Sequence, residues 1–161
     1  MDEETNIVEL LPQINLRDDK ESGSHLGGVQ SNHFLRGEQT GGAYSLSELT
    51  FQPGSQGTPL HVHHREEELY YVIEGELQVV VGGEETVLGV GASILLPRGI
   101  PHKVWPLGNV ATRVLMIVSP PQIIEMLLEL DRLNAQGRLD LHAMQRLAAE
   151  YRVVLLPGKK I

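Results

Sequence analysis

The chain has 161 residues, of which 41% are apolar and 21% charged, a composition that suits one soluble globular domain with a core of its own. A formal net charge of −8 argues against nucleic acid or an anionic membrane as partner, since both select clustered Lys and Arg. There is no cysteine, so disulfide frames and thiolate chemistry are excluded.

Residues 1–30 mix charge with Pro12 and a Gly23, Gly27, Gly28 cluster and read as an N-terminal arm or loop with at most short strands. The opening MDEETNIVEL is acidic where a signal peptide would be basic and then apolar, which makes a cytoplasmic protein the expectation. No apolar run approaches the roughly 20 residues that span a bilayer. From Ser31 the punctuation is regular. SNHFLRG and AYSLSELTF are β-prone runs separated by Gly41-Gly42, and Pro53-Gly54 and Gly57 to Pro59 end the second. ELQVVV and EETVL flank Gly82-Gly83, a hairpin signal, because the favoured two-residue turns need positive φ. ASILLP, HKVWPL and ATRVLMIV complete a series of short strands at regular spacing. That pattern indicates an antiparallel sandwich or barrel over residues 31–118.

At Ser119-Pro120-Pro121 the period changes. Ile123, Ile124, Leu127 and Leu128 recur at helical spacing, and after Gly137 a second helix is expected with Asp140 as its cap and Leu141, Met144, Leu147, Ala148 and Tyr151 on one face. VVLLPG reads as a short terminal strand or packed tail. Residues 119–161 are therefore expected as a helical extension covering the outside of the barrel or a dimer seam, with a lid over the mouth as the alternative. The acidic and apolar faces of these helices do not suit DNA.

The chemistry concentrates in PLHVHHREEELYYVIEG, residues 59–75. On a strand, His61 and His63 share a face while Val62 and His64 point away. A hairpin-like turn can bring Glu68 beside both imidazoles, and Tyr70 and Val72 share the face of Glu68. Imidazole with carboxylate suits a divalent transition metal such as Fe, Mn, Ni, Co or Zn. His102 starts a later strand, and whether it joins is a matter of tertiary structure. His64, Glu66 and Glu67 read as solvated corner residues, with Glu67 an alternative ligand. His25, His33 and His142 read as structural or exposed, and Trp105 as packed outside. Leu77, Val79 and Val81 read as an apolar wall.

His61-x-His63, four residues, Glu68, six residues and Gly75 resemble the first motif of the cupin superfamily. Gly91, Pro97, Gly99 and His102 match its second motif. Ser55 stands where the first motif usually opens with Gly, and Pro106 replaces an Asn of the second. The resemblance implies a double-stranded β-helix, the jelly-roll barrel, as an all-β fold carrying the two-helix extension. It implies metal ligands His61, His63, Glu68 and His102, with about two coordination positions open to substrate or O2. Among cupins the HVHHREEELYYVIEGEL phrase is similar to small single-domain members grouped with quercetin dioxygenases. The expected function is a metal-dependent dioxygenase or related oxidoreductase on a small organic substrate, with Glu68 also able to act as catalytic base. A non-enzymatic ligand-binding or sensory module and a metal-dependent isomerase or lyase are the alternatives. A homodimer is expected, by resemblance and from the edge and apolar surface that the N-terminal strand and Trp105 offer.

Overall fold

The computed structural model describes residues 21–157. Its strands are β1 (Glu21–Leu26), β2 (Val29–Leu35), β3 (Ser45–Phe51), β4 (His61–His63), β5 (Glu67–Glu74), β6 (Glu76–Val81), β7 (Glu84–Leu88), β8 (Ser93–Leu96), β9 (His102–Leu107), β10 (Thr112–Ser119) and β11 (Val153–Leu155). Helices α1 (Ile123–Ala135) and α2 (Leu141–Glu150) stand between β10 and β11. The strands form two antiparallel sheets, one ordered β1-β2-β3-β10-β5-β8 and the other β11-β4-β9-β6-β7. This is the expected all-β jelly roll with two C-terminal helices. The stretch expected as an arm contributes, from Glu21, the edge strand β1, the turn at Gly27-Gly28 and the first two residues of β2; residues 1–20 lie outside the described residues.

Alternation sets the core. In β10, Thr112, Val114, Met116 and Val118 are buried, and Val114, Met116 and Val118 lie in register with Val72, Tyr70 and Glu68 of β5. Leu77 and Val79 of β6 and Val104 of β9 are fully buried from the facing sheet, while Val81 is half-buried. The period of two that made these strands legible thus puts one apolar layer on each inner face. The β6–β7 turn is Gly82-Gly83 with φ of 58° and 88°, the all-positive turn expected there. Asp140 caps α2 as expected, accepting from the Ala143 amide at 2.7 Å. No helix among the described residues is long and apolar enough to cross a membrane.

Two placements differ from expectation. His63 and Glu68 are not joined by a hairpin-like turn, because β4 and β5 belong to different sheets. Both edges of β4 are taken: Val153 pairs with His63 on one side, and His102 pairs with His61 on the other. The intervening residues therefore cross from sheet to sheet, and the two inner faces meet at the site. The helices also do not merely cover the outside. Ile123, Met126, Leu127 and Leu130 of α1 and Met144 and Ala148 of α2 line the same cavity as His61, His63 and Glu68.

The loop before β4 is strapped onto β9. Thr58 donates its amide to the Val104 carbonyl at 2.9 Å, and its Oγ1 accepts from the Val104 amide at 3.1 Å. Gly57 makes this approach possible: it sits at φ 65°, and a Cβ there would lie 1.9 Å from the Val104 carbonyl oxygen. Gly57→Ala should therefore lower stability by at least about 1 kcal/mol more than Gly54→Ala, measured from urea unfolding. Gly54 has a similar φ of 75° but nothing within 4 Å of its Cβ position, so it reports the conformational cost alone.

Candidate metal centre

The strap, β4, the start of β5 and the start of β9 converge on four buried side chains, His61, His63, Glu68 and His102. One donor atom from each lies within 4.8 Å of the others. His61 Nε2 is 3.0 Å from His63 Nε2, His63 Nε2 is 3.3 Å from Glu68 Oε1, and His102 Nε2 is 3.4 Å from Glu68 Oε2. The structure thus brings all four expected ligands together, including His102, which the sequence alone could not place.

Outer contacts fix which nitrogen of each ring looks inward. His61 Nδ1 is 2.7 Å from the Pro59 carbonyl, and His102 Nδ1 is 3.1 Å from the Ile100 carbonyl. A carbonyl only accepts, so both Nδ1 atoms carry hydrogen and both Nε2 atoms offer lone pairs to the centre. His102 Nε2 and Glu68 Oε2 are buried without a hydrogen-bond partner. Two acceptors 3.4 Å apart in a buried site repel, and a cation between them satisfies both. The spacing also fits. Ligands about 2.1 Å from a metal and at right angles to one another stand about 3 Å apart. The donor set of imidazole and carboxylate fits a divalent transition metal.

Electrostatics agree with that reading. Burial, with the neighbouring His102 and His63, lowers the pKa of His61 to about 4 against the pull of Glu68, so it is neutral at pH 7. Burial also opposes a charge on His63, but hydrogen bonds to Glu66 and Glu68 outweigh it and raise the pKa to about 9. Burial likewise works against ionised Glu68, and is outweighed by the adjoining His102 and His63 rings, which hold it well below the usual carboxylate range. Tyr70, two residues on along the same face of β5, is pushed well up by burial and by the Glu68 charge. Its hydroxyl therefore keeps its proton.

Glu66 corrects the sequence reading. It was expected on a solvated corner but is only 1% exposed, and its Oε2 is 3.5 Å from His63 Nδ1. It is the acidic counterpart of the carbonyls behind His61 and His102. The signal was present, because the alternation that turns Glu68 inward turns Glu66 inward as well. Its neighbours behave as expected: His64 is exposed, and Glu67 pairs with Arg98 at 3.1 Å. His33 is buried and its Nδ1 is 2.7 Å from Ser47 Oγ, a structural contact, and His142 is exposed. The side chain of His25 lies outside the described residues. Trp105 is partly exposed and has the Lys103 ammonium 5.1 Å from its ring centre.

Two outcomes follow for the isolated protein. At pH 7 the metal-free centre holds a proton on His63, so loading with Zn(II) should release about one proton, read from titration calorimetry in buffers of different ionisation enthalpy. Because the folded-state pKa of His63 is raised to about 9, the stability it gives the metal-free protein is complete below about pH 6.5 and is lost as pH rises through 9. Proton release should fade over the same window. Glu66→Leu should weaken Zn(II) affinity about 10–100-fold, whereas Glu66→Gln, which keeps an acceptor, should weaken it less.

Comparison with known proteins agrees with this geometry. Residues 47–118 match the family model described as "Cupin domain". The tetracenomycin polyketide synthase protein TcmJ of Streptomyces glaucescens is 33% identical over 98 residues, which cover 60% of this chain and 65% of that protein. Oxalate oxidase 2 of Hordeum vulgare is 34% identical over 83 residues, covering 47% of this chain and 36% of that protein. The chain spans less than two thirds of the length of these curated relatives. The structure of KdgF from Halomonas sp. shares the fold with a TM-score of 0.61 at 22% identity, covering 68% of this chain and 94% of that one. Sandwich topology, both motifs and the family match point the same way: residues 47–118 form a small domain of the cupin superfamily.

Proposed function

We propose that the protein is a metal-dependent oxidoreductase, a dioxygenase in type, acting on a small organic molecule held beside His61, His63, Glu68 and His102. The observation that carries this reading is the set of inward lone pairs on His61, His102 and Glu68 at the end of a cavity of about 480 Å³. That volume is in the range that holds drug-sized organic molecules. The kinship with an oxalate oxidase supports an oxidoreductase. The place beside quercetin dioxygenases belongs to the proposal, as do a homodimer and a cytoplasmic location.

A bound divalent ion (Fe, Mn, Ni, Co or Zn) supplies a Lewis-acid centre with positions for substrate oxygens. The chain's own residues do the rest. Once the His63 proton has been released to metal, the three imidazoles present neutral Nε2 atoms, each backed by an acceptor behind its Nδ1. Glu68 is the one ionised carboxylate among the four and can accept the proton of a substrate hydroxyl at a carboxylate oxygen. The apolar walls exclude water and so strengthen each of these interactions.

A second reading is a redox-neutral isomerase or lyase using the same four residues. The similarity to a polyketide synthase protein and the apolar cavity favour it over a purely non-enzymatic binding module. Oxygen separates the readings. Protein grown in metal-supplemented medium should contain about one transition metal per chain. It should then consume O2 with at least one member of a panel of diols, flavonols and diketones. Glu68→Gln should lower that rate about 100-fold or more. Turnover that persists without O2 would instead establish the redox-neutral reading, and metal binding without turnover the binding module. Sedimentation velocity should give twice the chain mass of 17.8 kDa.

A further inference from the structure

The two C-terminal helices lie beyond residues 47–118, the segment that matches the family, yet they are built into the site. They are pinned at both ends. At the start of α1, Arg36 donates to both carboxylate oxygens of Glu125, at 2.8 and 3.0 Å. After α2, β11 pairs with β4, and the Leu156 amide donates to the Leu60 carbonyl at 2.9 Å. A roof held in this way keeps a fixed distance from the histidines.

The face that the roof turns inward is apolar. Met126, Leu127 and Leu130 of α1 and Met144 of α2 face the cavity, with Val29, Leu49 and Met116 also lining it. Hydrogen-bonding side chains on the wall are few: Ser31, Gln56, Thr58 and Tyr70 join the His and Glu groups. Lys103 is the only Lys or Arg among the lining residues, and its ammonium lies 5.1 Å from the centre of the Trp105 ring. Nothing on this wall is arranged to neutralise a dianion or a phosphate. Thioether and aliphatic side chains instead suit a body that gains by leaving water.

We propose that α1 and α2 are the ligand-selecting wall of the site, and that the ligand has an extended apolar body joined to an oxygen-bearing head at the four-residue centre. This rests on the reading of that centre as a small-molecule site. It goes further by naming Leu127 and Met144 as specificity-determining residues and by excluding oxalate-sized dianions and sugar phosphates as preferred ligands.

The test compares catechol with 2,3-dihydroxynaphthalene, which has the same head and one more ring, on the Zn(II)-loaded full chain. Binding is followed by calorimetry and by naphthalene fluorescence. The larger diol should bind at least about tenfold more tightly. Met144→Gln and Leu127→Gln, both at half-buried positions, should cut that advantage, read as the ratio of the two affinities, to about threefold or less. Ala148→Phe, which fills the cavity from α2, should exclude the larger diol selectively. Circular dichroism melting shows that each variant is folded before it is compared. Equal affinities in the unmodified protein, an undiminished advantage in both glutamine variants, or tighter binding of oxalate or glucose phosphate would overturn the proposal. The same comparison after EDTA treatment separates it from the metal reading. An advantage that survives without metal dependence sinks only the metal centre, whereas metal-dependent binding with no ring advantage sinks only the role of the helices.

Discussion

Buried lone pairs facing one another are the constraint on which this molecule turns. Backbone carbonyls hold the protons of His61 and His102 on their outer nitrogens, so the inner nitrogens have nothing to donate toward Glu68. In water such crowding would relax by turning the rings. Here β4 and β9 are locked in register, and His102 and Glu68 are almost fully buried. Without metal, the Glu66 and Glu68 carboxylates raise the pKa of His63 against its burial, while burial lowers that of His61. A divalent cation answers the same electrostatic demand with all four groups at once. An apolar redesign of the four positions would remove the demand and, by the usual balance for buried polar clusters, be neutral or stabilising. Retaining the cluster makes sense as function.

The rest of the fold holds that crowding in place. The sandwich supplies two inner faces, and the site lies where a strand of one meets a strand of the other. β4 is only three residues long, yet it is gripped on both edges, by β9 and by β11. The Gly57 strap closes against the backbone of β9 two residues beyond His102, tying the loop before His61 to the strand that carries His102. Through β11, the C-terminal extension is part of the sheet that carries three of the four donors. Its helices then set the shape of the remaining space.

Much of this was legible in the residues, and the parts that were not share a cause. Period-two alternation places His61 with His63, and Glu68 with Tyr70, because a strand has only two faces. Gly82-Gly83 places a hairpin because few residues tolerate that turn. Spacing could not show that His63 and Glu68 sit in different sheets. That depends on which edges of β4 are occupied, and one of them is filled by Val153 from the far end of the chain. The same long-range pairing decides that the helices roof the cavity. Glu66 is obscured for a different reason: three adjacent glutamates look like a solvated run, although parity turns Glu66 inward with Glu68. Its burial behind His63 shows that alternation was the better guide even at the corner.

The central claim is that these four side chains hold one divalent transition metal. Anomalous diffraction at the absorption edge of the metal found in the purified protein tests it most directly. A single strong peak is expected within bonding distance of His61, His63 and His102 Nε2 and of Glu68. A crystal grown from metal-supplemented protein that shows no peak there, or shows its peak elsewhere on the chain, would contradict it.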